Sequence, residues 1–174
     1  MFIKLTYRLV NYLGIRFLLK DEIYINLQYR FFTGKKLNLV NPKLFSEKIQ
    51  FLKLLHKDQD FSEYVDKYEV KKLINKKIKG LNTFKTLDIC DSIDELNFPS
   101  LPKSFVIKCT HDSGSTTIVK DKSEINNNSL KRKYNKYLKR NYYYKGLEYV
   151  YKNIKPRIII EEFYKNENET QIID

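Results

Sequence analysis

The hydrophobic period of this chain changes once, after Gly80, and that change limits the folds open to it. Before Gly80 apolar residues recur every three or four positions, whereas beyond it they alternate or run together in short β-branched stretches. A chain ordered in this way is α/β (α+β), with a helical region first and the strands confined to the later part. Thr83–Cys90 is β-rich, a helical turn follows around Ile93–Leu96, and Pro99 and Pro102 lead into a strand over Ser104–Thr110. His111–Ser115 forms a tight turn and Thr116–Val119 returns as the paired strand of a hairpin. Asn127–Arg140 is helical, with Leu130, Tyr134, Tyr137 and Leu138 on one side and basic residues on the rest. Arg157–Phe163 is a last buried strand, and Lys165–Asp174 is polar.

The helical part begins with Phe2, Leu5, Leu9, Tyr12 and Leu13 at helical spacing, with Lys4, Arg8 and Arg16 between them. This predicts an amphipathic basic helix over residues 2–19, either docked on another lobe or lying on an anionic membrane surface. A second helix runs from about Glu22 to Phe32 and stops at Gly34. Phe45, Ile49, Leu52 and Leu55 mark a third, with Ser46 as its cap. Asp66-Lys67-Tyr68-Glu69 opens a fourth as a capping box, with Val70, Leu73, Ile74 and Ile78 as its buried stripe.

An aromatic content of 14%, drawn from fourteen Tyr and eleven Phe, is too high for a disordered chain. A net charge of +12 attracts nucleotides, anionic lipid and acidic glycans alike, so charge narrows the class of partner without choosing within it. Cys90 and Cys109 belong to no zinc or disulfide spacing, which fits a reducing cytoplasm. Lys4, Arg8 and Arg16 break every early apolar run, so neither a signal peptide nor a membrane span is expected, only contact with the inner face of a membrane.

Alternation places Phe105, Ile107 and Cys109 on one face of their strand and Val106, Lys108 and Thr110 on the other. A lysine there is either an edge-strand device against aggregation or half of an anion site. The turn directly after it favours the second reading, because Gly114 and the hydroxyls of Ser113, Ser115 and Thr116 can surround a phosphate that Lys108 neutralises. Of the two histidines, His56 and His111, the latter is read as a hydrogen-bonding loop residue, and Cys109 as a small core residue. Glu161 and Glu162 point to opposite faces, so one of them at most reaches a ligand.

Six blocks in order resemble the TupA-like ATP-grasp proteins of teichuronopeptide biosynthesis: Tyr29–Asn38, Asn41–Gln50, Val65–Tyr68, Phe105–Gly114, Asn141–Tyr144 and Lys155–Glu162. The resemblance implies a helical region over residues 1–60 and an incomplete ATP-grasp fold over 61–174, with a nucleotide-binding lobe at about 81–163. It implies that Lys67 and Lys108 contact the phosphates of ATP, that the loop with His111, Ser113, Gly114 and Ser115 folds over them, and that Glu161 or Glu162 passes beside adenine and ribose. The implied activity is an ATP-dependent carboxylate-amine ligase acting on a cell-surface polysaccharide or its precursor. Its Mg2+ ligands and catalytic residues are expected in a further segment, so that this chain alone should not turn over, and no metal ligand is assigned here.

Two departures and two alternatives accompany that reading. The family's loop is richer in glycine than Thr110–Ser115, and Asp112 places negative charge near phosphate unless it faces away. A glycosyltransferase-like protein of a polysaccharide locus is one alternative. A noncatalytic basic module for RNA or anionic membrane, using residues 131–144 and the first helix, is the other. Nucleic acid is the less expected partner, because charge runs on helices usually face water.

Overall fold

The structure, a computed structural model, describes residues 2–164; Met1, the Phe2 side chain and the polar stretch from Lys165 to Asp174 lie outside the described residues. The chain divides into two compact units, one of the residues up to Gln59 with Tyr143–Tyr149, the other of Asp60–Tyr142 with the residues from Val150 on.

In the first unit α1 (Phe2–Tyr12) packs against α2 (Asp21–Thr33), and α3 (Phe45–Leu55) follows. The predicted single helix over 2–19 is shorter: α1 ends at Tyr12, Gly14 turns the chain at φ +65°, and Ile15–Leu18 form one 3-10 turn. Gly34, at φ +73°, closes α2 as the sequence predicts. Ser46 does not cap α3. Its hydroxyl meets Tyr29 Oη at 3.0 Å, and the Glu47 carboxylate accepts from the N–H groups of Lys43 and Leu44 instead. The core gathers Val10, Tyr24, Ile25, Tyr29, Leu37 and Leu147. The apolar stripes that mark both helices face outward: Leu5, Leu9 and Tyr12 of α1 with Leu13 just past its end, and Phe45, Ile49, Leu52 and Leu55 of α3, are all exposed. Periodicity detects a helix with an apolar face, but α1 packs with its opposite face, through Tyr7 and Val10.

The second unit is a mixed α/β body. Its sheet has the order β1-β4-β2-β3, with β1 Thr86–Cys90, β2 Phe105–Cys109, β3 Thr117–Val119 and β4 Ile158–Glu162, every pair antiparallel. β2 is therefore an interior strand, which removes the edge-strand explanation of Lys108. Phe105, Ile107 and Cys109 join Ile158 and Ile160 on the face that packs Leu130 and Tyr134 of α6 (Asn127–Leu138). The opposite face carries Val106, Lys108, Ile159 and Glu161, because Val106 is opposite Glu161 and Lys108 opposite Ile159. Two further helices, α4 (Ser62–Val65) and α5 (Glu69–Lys77), complete the unit. The α5 stripe is only half-buried, and Ile78 lies past the helix end, exposed. Among the described residues no helix is long and apolar enough to cross a membrane.

Candidate functional site

The junction between α4 and α5 is built by Asp66. Its buried carboxylate accepts from the N–H groups of Tyr68 and Glu69 at 2.8 and 2.9 Å, half of the predicted capping box. The other half does not form, because Glu69 turns to Arg157 (2.9 Å) and Lys72 (3.0 Å). The Arg157 guanidinium, at the entry to β4, also reaches Asp66 at 3.4 Å and lies over the Tyr68 ring. These contacts fix the backbone of Lys67, whose N–H donates to the Thr110 carbonyl at 3.1 Å.

From that position the Lys67 ammonium enters the loop after β2. It donates to the carbonyl oxygens of Cys109 (2.9 Å) and Asp112, with the Asp112 carboxylate 4.0 Å away. Burial and, less strongly, the Lys108 charge hold the Lys67 pKa below its ordinary value, with Asp112 opposing the shift. On the same face of the sheet the Lys108 ammonium pairs with Glu161 Oε2 at 2.5 Å, while Lys71, one turn beyond Lys67 on α5, pairs with Glu161 Oε1. Lys71 also donates to the Phe84 carbonyl at 2.7 Å. A carboxylate only 2% exposed thus serves two ammonium groups, and a third lies nearby.

The loop itself is ordered from within and from α6. Ser115 Oγ accepts from the Cys109 N–H at 2.8 Å and donates to Asp112 Oδ1 at 2.6 Å, so both side chains are buried and face away from the outer surface of the loop. Tyr134 Oη lies 2.7 Å from the Ile107 carbonyl and 2.9 Å from that of Ser115. Tyr137 Oη donates to the Gly114 carbonyl at 2.9 Å, and Lys133 donates to the Thr116 carbonyl and to Thr117 Oγ1. His111 is buried, with Nε2 3.3 Å from the Tyr137 carbonyl, and burial pushes its pKa down. Burial, with the nearby Asp112, raises the Cys109 thiol to about 12, as expected of a core cysteine.

Of the residues expected at a nucleotide site, the structure brings Lys67, Lys108 and Glu161 to one face of the sheet, with His111 and Ser115 in the wall of the adjoining loop. Ser113 and Gly114 are exposed at its tip, where Gly114 adopts φ +91°. Glu162 stands apart, exposed, accepting from the Lys85 N–H at 2.8 Å. Two contributors escaped the sequence reading. Lys71 gave no signal beyond its place on an ordinary basic helix, and the tyrosines of α6 were read as packing, although a hydroxyl on a buried stripe must find a partner. Asp112 points inward, so its charge serves Lys67 and not the outer surface. A separate cleft of about 420 Å³ between β3 and the start of α6, lined among others by Thr117, Lys120, Asn126 and Lys133, contains none of the site lysines.

Tyr142 stacks near Tyr151, and Tyr143 near Tyr144 and Tyr149, so these rings pack on one another. Among the described residues no group of three or more His, Cys, Asp or Glu side chains is placed to hold a metal ion. No curated protein and no solved structure gives a significant match to the chain. The family model described as TupA-like ATPgrasp matches residues 47–174, a span that takes in every residue of the site. With that span covering most of the sequence, the chain belongs to the TupA-like ATP-grasp family.

Proposed function

We propose that the sheet face carrying Lys108 and Glu161 binds the phosphates of ATP and that the protein serves an ATP-dependent carboxylate-amine ligation on a cell-surface polysaccharide or its precursor. The observation that carries the first part is the convergence of the Lys67, Lys71 and Lys108 ammonium groups beside a loop held from behind by α6. Lysine is a compact point charge, suited to phosphate oxygens that shift during transfer. In the free protein the same charges are balanced by Glu161 and by the carbonyls of Cys109 and Asp112. Phosphate oxygens take over those acceptor roles on binding, which keeps the partly buried cations paired in both states. The ligase assignment and the glycan acceptor rest on the family resemblance.

Magnesium neutralises developing charge in phosphoryl transfer when it is bound. The nearest described carboxylates do not fit that role, because Asp112 and Glu161 are committed to lysines and no third ligand joins them.

Titration with magnesium-ATP tests the reading. The wild-type chain should gain thermal stability on saturation, and Lys67→Ala and Lys108→Ala should each weaken binding by about tenfold or more. Lys136→Ala, on the exposed side of α6, should bind as the wild type does. A wild-type chain indifferent to magnesium-ATP, or lysine variants that bind it unchanged, removes the assignment.

A further inference from the structure

We infer that the outward face of α1 and the turn after it is a docking surface for an anionic lipid bilayer, on which this segment lies in the plane of the interface. On an α-helix Leu5, Leu9, Tyr12 and Leu13 fall within about 100° of the circumference, and all four are exposed, Tyr12 by 87%. The helix does not need this face for its own unit. Tyr7 and Val10, on the opposite side, make the internal contacts, with Tyr7 stacked near Phe31 and Val10 buried in the core. Past Gly14, Phe17 and Leu18 of the 3-10 turn are exposed as well, by 75% and 70%. A helix apolar on both sides and packed on one has a second partner to find.

Charge selects among the possible occupants. The first twenty residues contain no Asp or Glu, and Lys4, Arg8 and Lys20 are exposed within them. Lys4 and Arg8 fall on the flank of the apolar face, at about 60° to 100° from Leu5 around the helix axis, where long side chains rise toward headgroups while the apolar face sinks between acyl chains. Protein interfaces are depleted of lysine at their centre and require a shaped partner. A bilayer carrying negative headgroups requires only an apolar face and a cationic margin, and an eleven-residue helix is too short to span one. This inference does not depend on the nucleotide site.

The chain has no tryptophan, so Tyr12→Trp places a single reporter on the face, at its most exposed position. On vesicles of phosphatidylcholine with phosphatidylserine its emission should shift to the blue and become shielded from an aqueous quencher. Vesicles of phosphatidylcholine alone should bind about tenfold more weakly, and added salt should release the chain. In flotation assays Leu9→Glu with Leu13→Glu should reduce binding by about tenfold or more, and Lys4→Glu with Arg8→Glu should bring it toward the level on neutral lipid. An emission spectrum of the Tyr12→Trp chain that stays unchanged on every vesicle overturns the inference, and this readout stands even if the paired glutamates disturb folding. Retention of binding in a folded Leu9→Glu, Leu13→Glu chain also overturns it, since charge alone would then be responsible. So does a concentration-dependent dimer in lipid-free buffer that the same pair abolishes, because a second copy would then cover the face.

Discussion

In the unit that starts at Asp60, Asp66, Thr110, His111, Asp112, Ser115 and Glu161 are buried polar side chains, and large apolar groups are mostly inside. In the first unit, of the residues up to Gln59 with Tyr143–Tyr149, the pattern reverses. Leu5, Leu9, Tyr12, Phe17, Phe32 and Phe45 face solvent, and Glu47 is the buried charge, consumed in capping α3. Each arrangement carries a cost that folding alone does not explain. Burying a carboxylate is unfavourable unless cations and donors surround it, and exposing an aromatic ring forgoes the stabilisation its burial provides. The second unit thus concentrates its cost where chemistry is proposed, and the first where docking is proposed.

The contrast is broken most severely at Glu161. Glu161→Ala removes the counter-charge of Lys71 and Lys108 together, and should destabilise the chain by about 3 kcal/mol in urea unfolding, at the low end for a broken buried pair because both lysine side chains are only partly buried. Saturating magnesium-ATP should restore part of that loss if phosphate takes the place of the carboxylate. A loss below about 1 kcal/mol would mean that Glu161 behaves like a surface ion pair, and the contrast between the units would weaken. Next in size is Tyr134→Phe, which deletes the hydroxyl shared among Ile107, Ser115 and Thr117. It leaves a buried carbonyl without its donor and should cost about 1–2 kcal/mol, with weaker magnesium-ATP binding because the loop loses one of its holds on α6.

The strands and the hairpin were legible because alternation is a local signal. Phe105, Ile107 and Cys109 could be assigned to the core side before any partner was known, and Lys108 to the other side with them. The loop was legible as a candidate site for a similar reason, since Lys108, Ser113, Gly114 and Ser115 lie within a few residues of each other. Lys71 was not legible. Its approach to Glu161 joins positions ninety residues apart, and nothing in a solvated-looking basic helix announces such a pairing. The direction of the α1 and α3 stripes was also hidden. Periodicity shows that a helix has an apolar face, but which face the unit buries depends on Tyr24, Ile25 and Tyr29 of another helix. Asp112 was read as placing charge near phosphate unless it faces away; it points inward, toward Ser115 and Lys67.

His111 offers a finer probe of the polar interior. Burial lowers its pKa below the ordinary 6.5, so the unfolded chain takes up the proton first as pH falls. Its contribution is then complete above 6.5 and lost as pH drops from there toward the folded-state pKa, with a slope of at most about 1.4 kcal/mol per pH unit. Urea midpoints of wild type and His111→Gln, compared between about pH 8 and pH 5, should converge toward the acid end. Glutamine can still donate toward the Tyr137 carbonyl but has no proton to gain. Parallel curves would show that His111 is as well solvated as a surface histidine.

The smallest expected effect bears on the other unit. Phe45 is 80% exposed at the first position of α3, so Phe45→Ser removes almost no buried area and should change stability by no more than about 0.5 kcal/mol. Serine and phenylalanine have similar helix propensities, and serine is at home in a first turn, which keeps the expected change near zero. Ile25→Ala in the same unit is the internal standard: fully buried, it should cost about 3 kcal/mol. If Phe45→Ser instead approaches the Ile25 value, the α3 stripe is packed in the free chain, and the outward faces of this unit are core surface. If the two differ as expected, the Phe45 ring contributes nothing to folding and needs an explanation outside the unit itself.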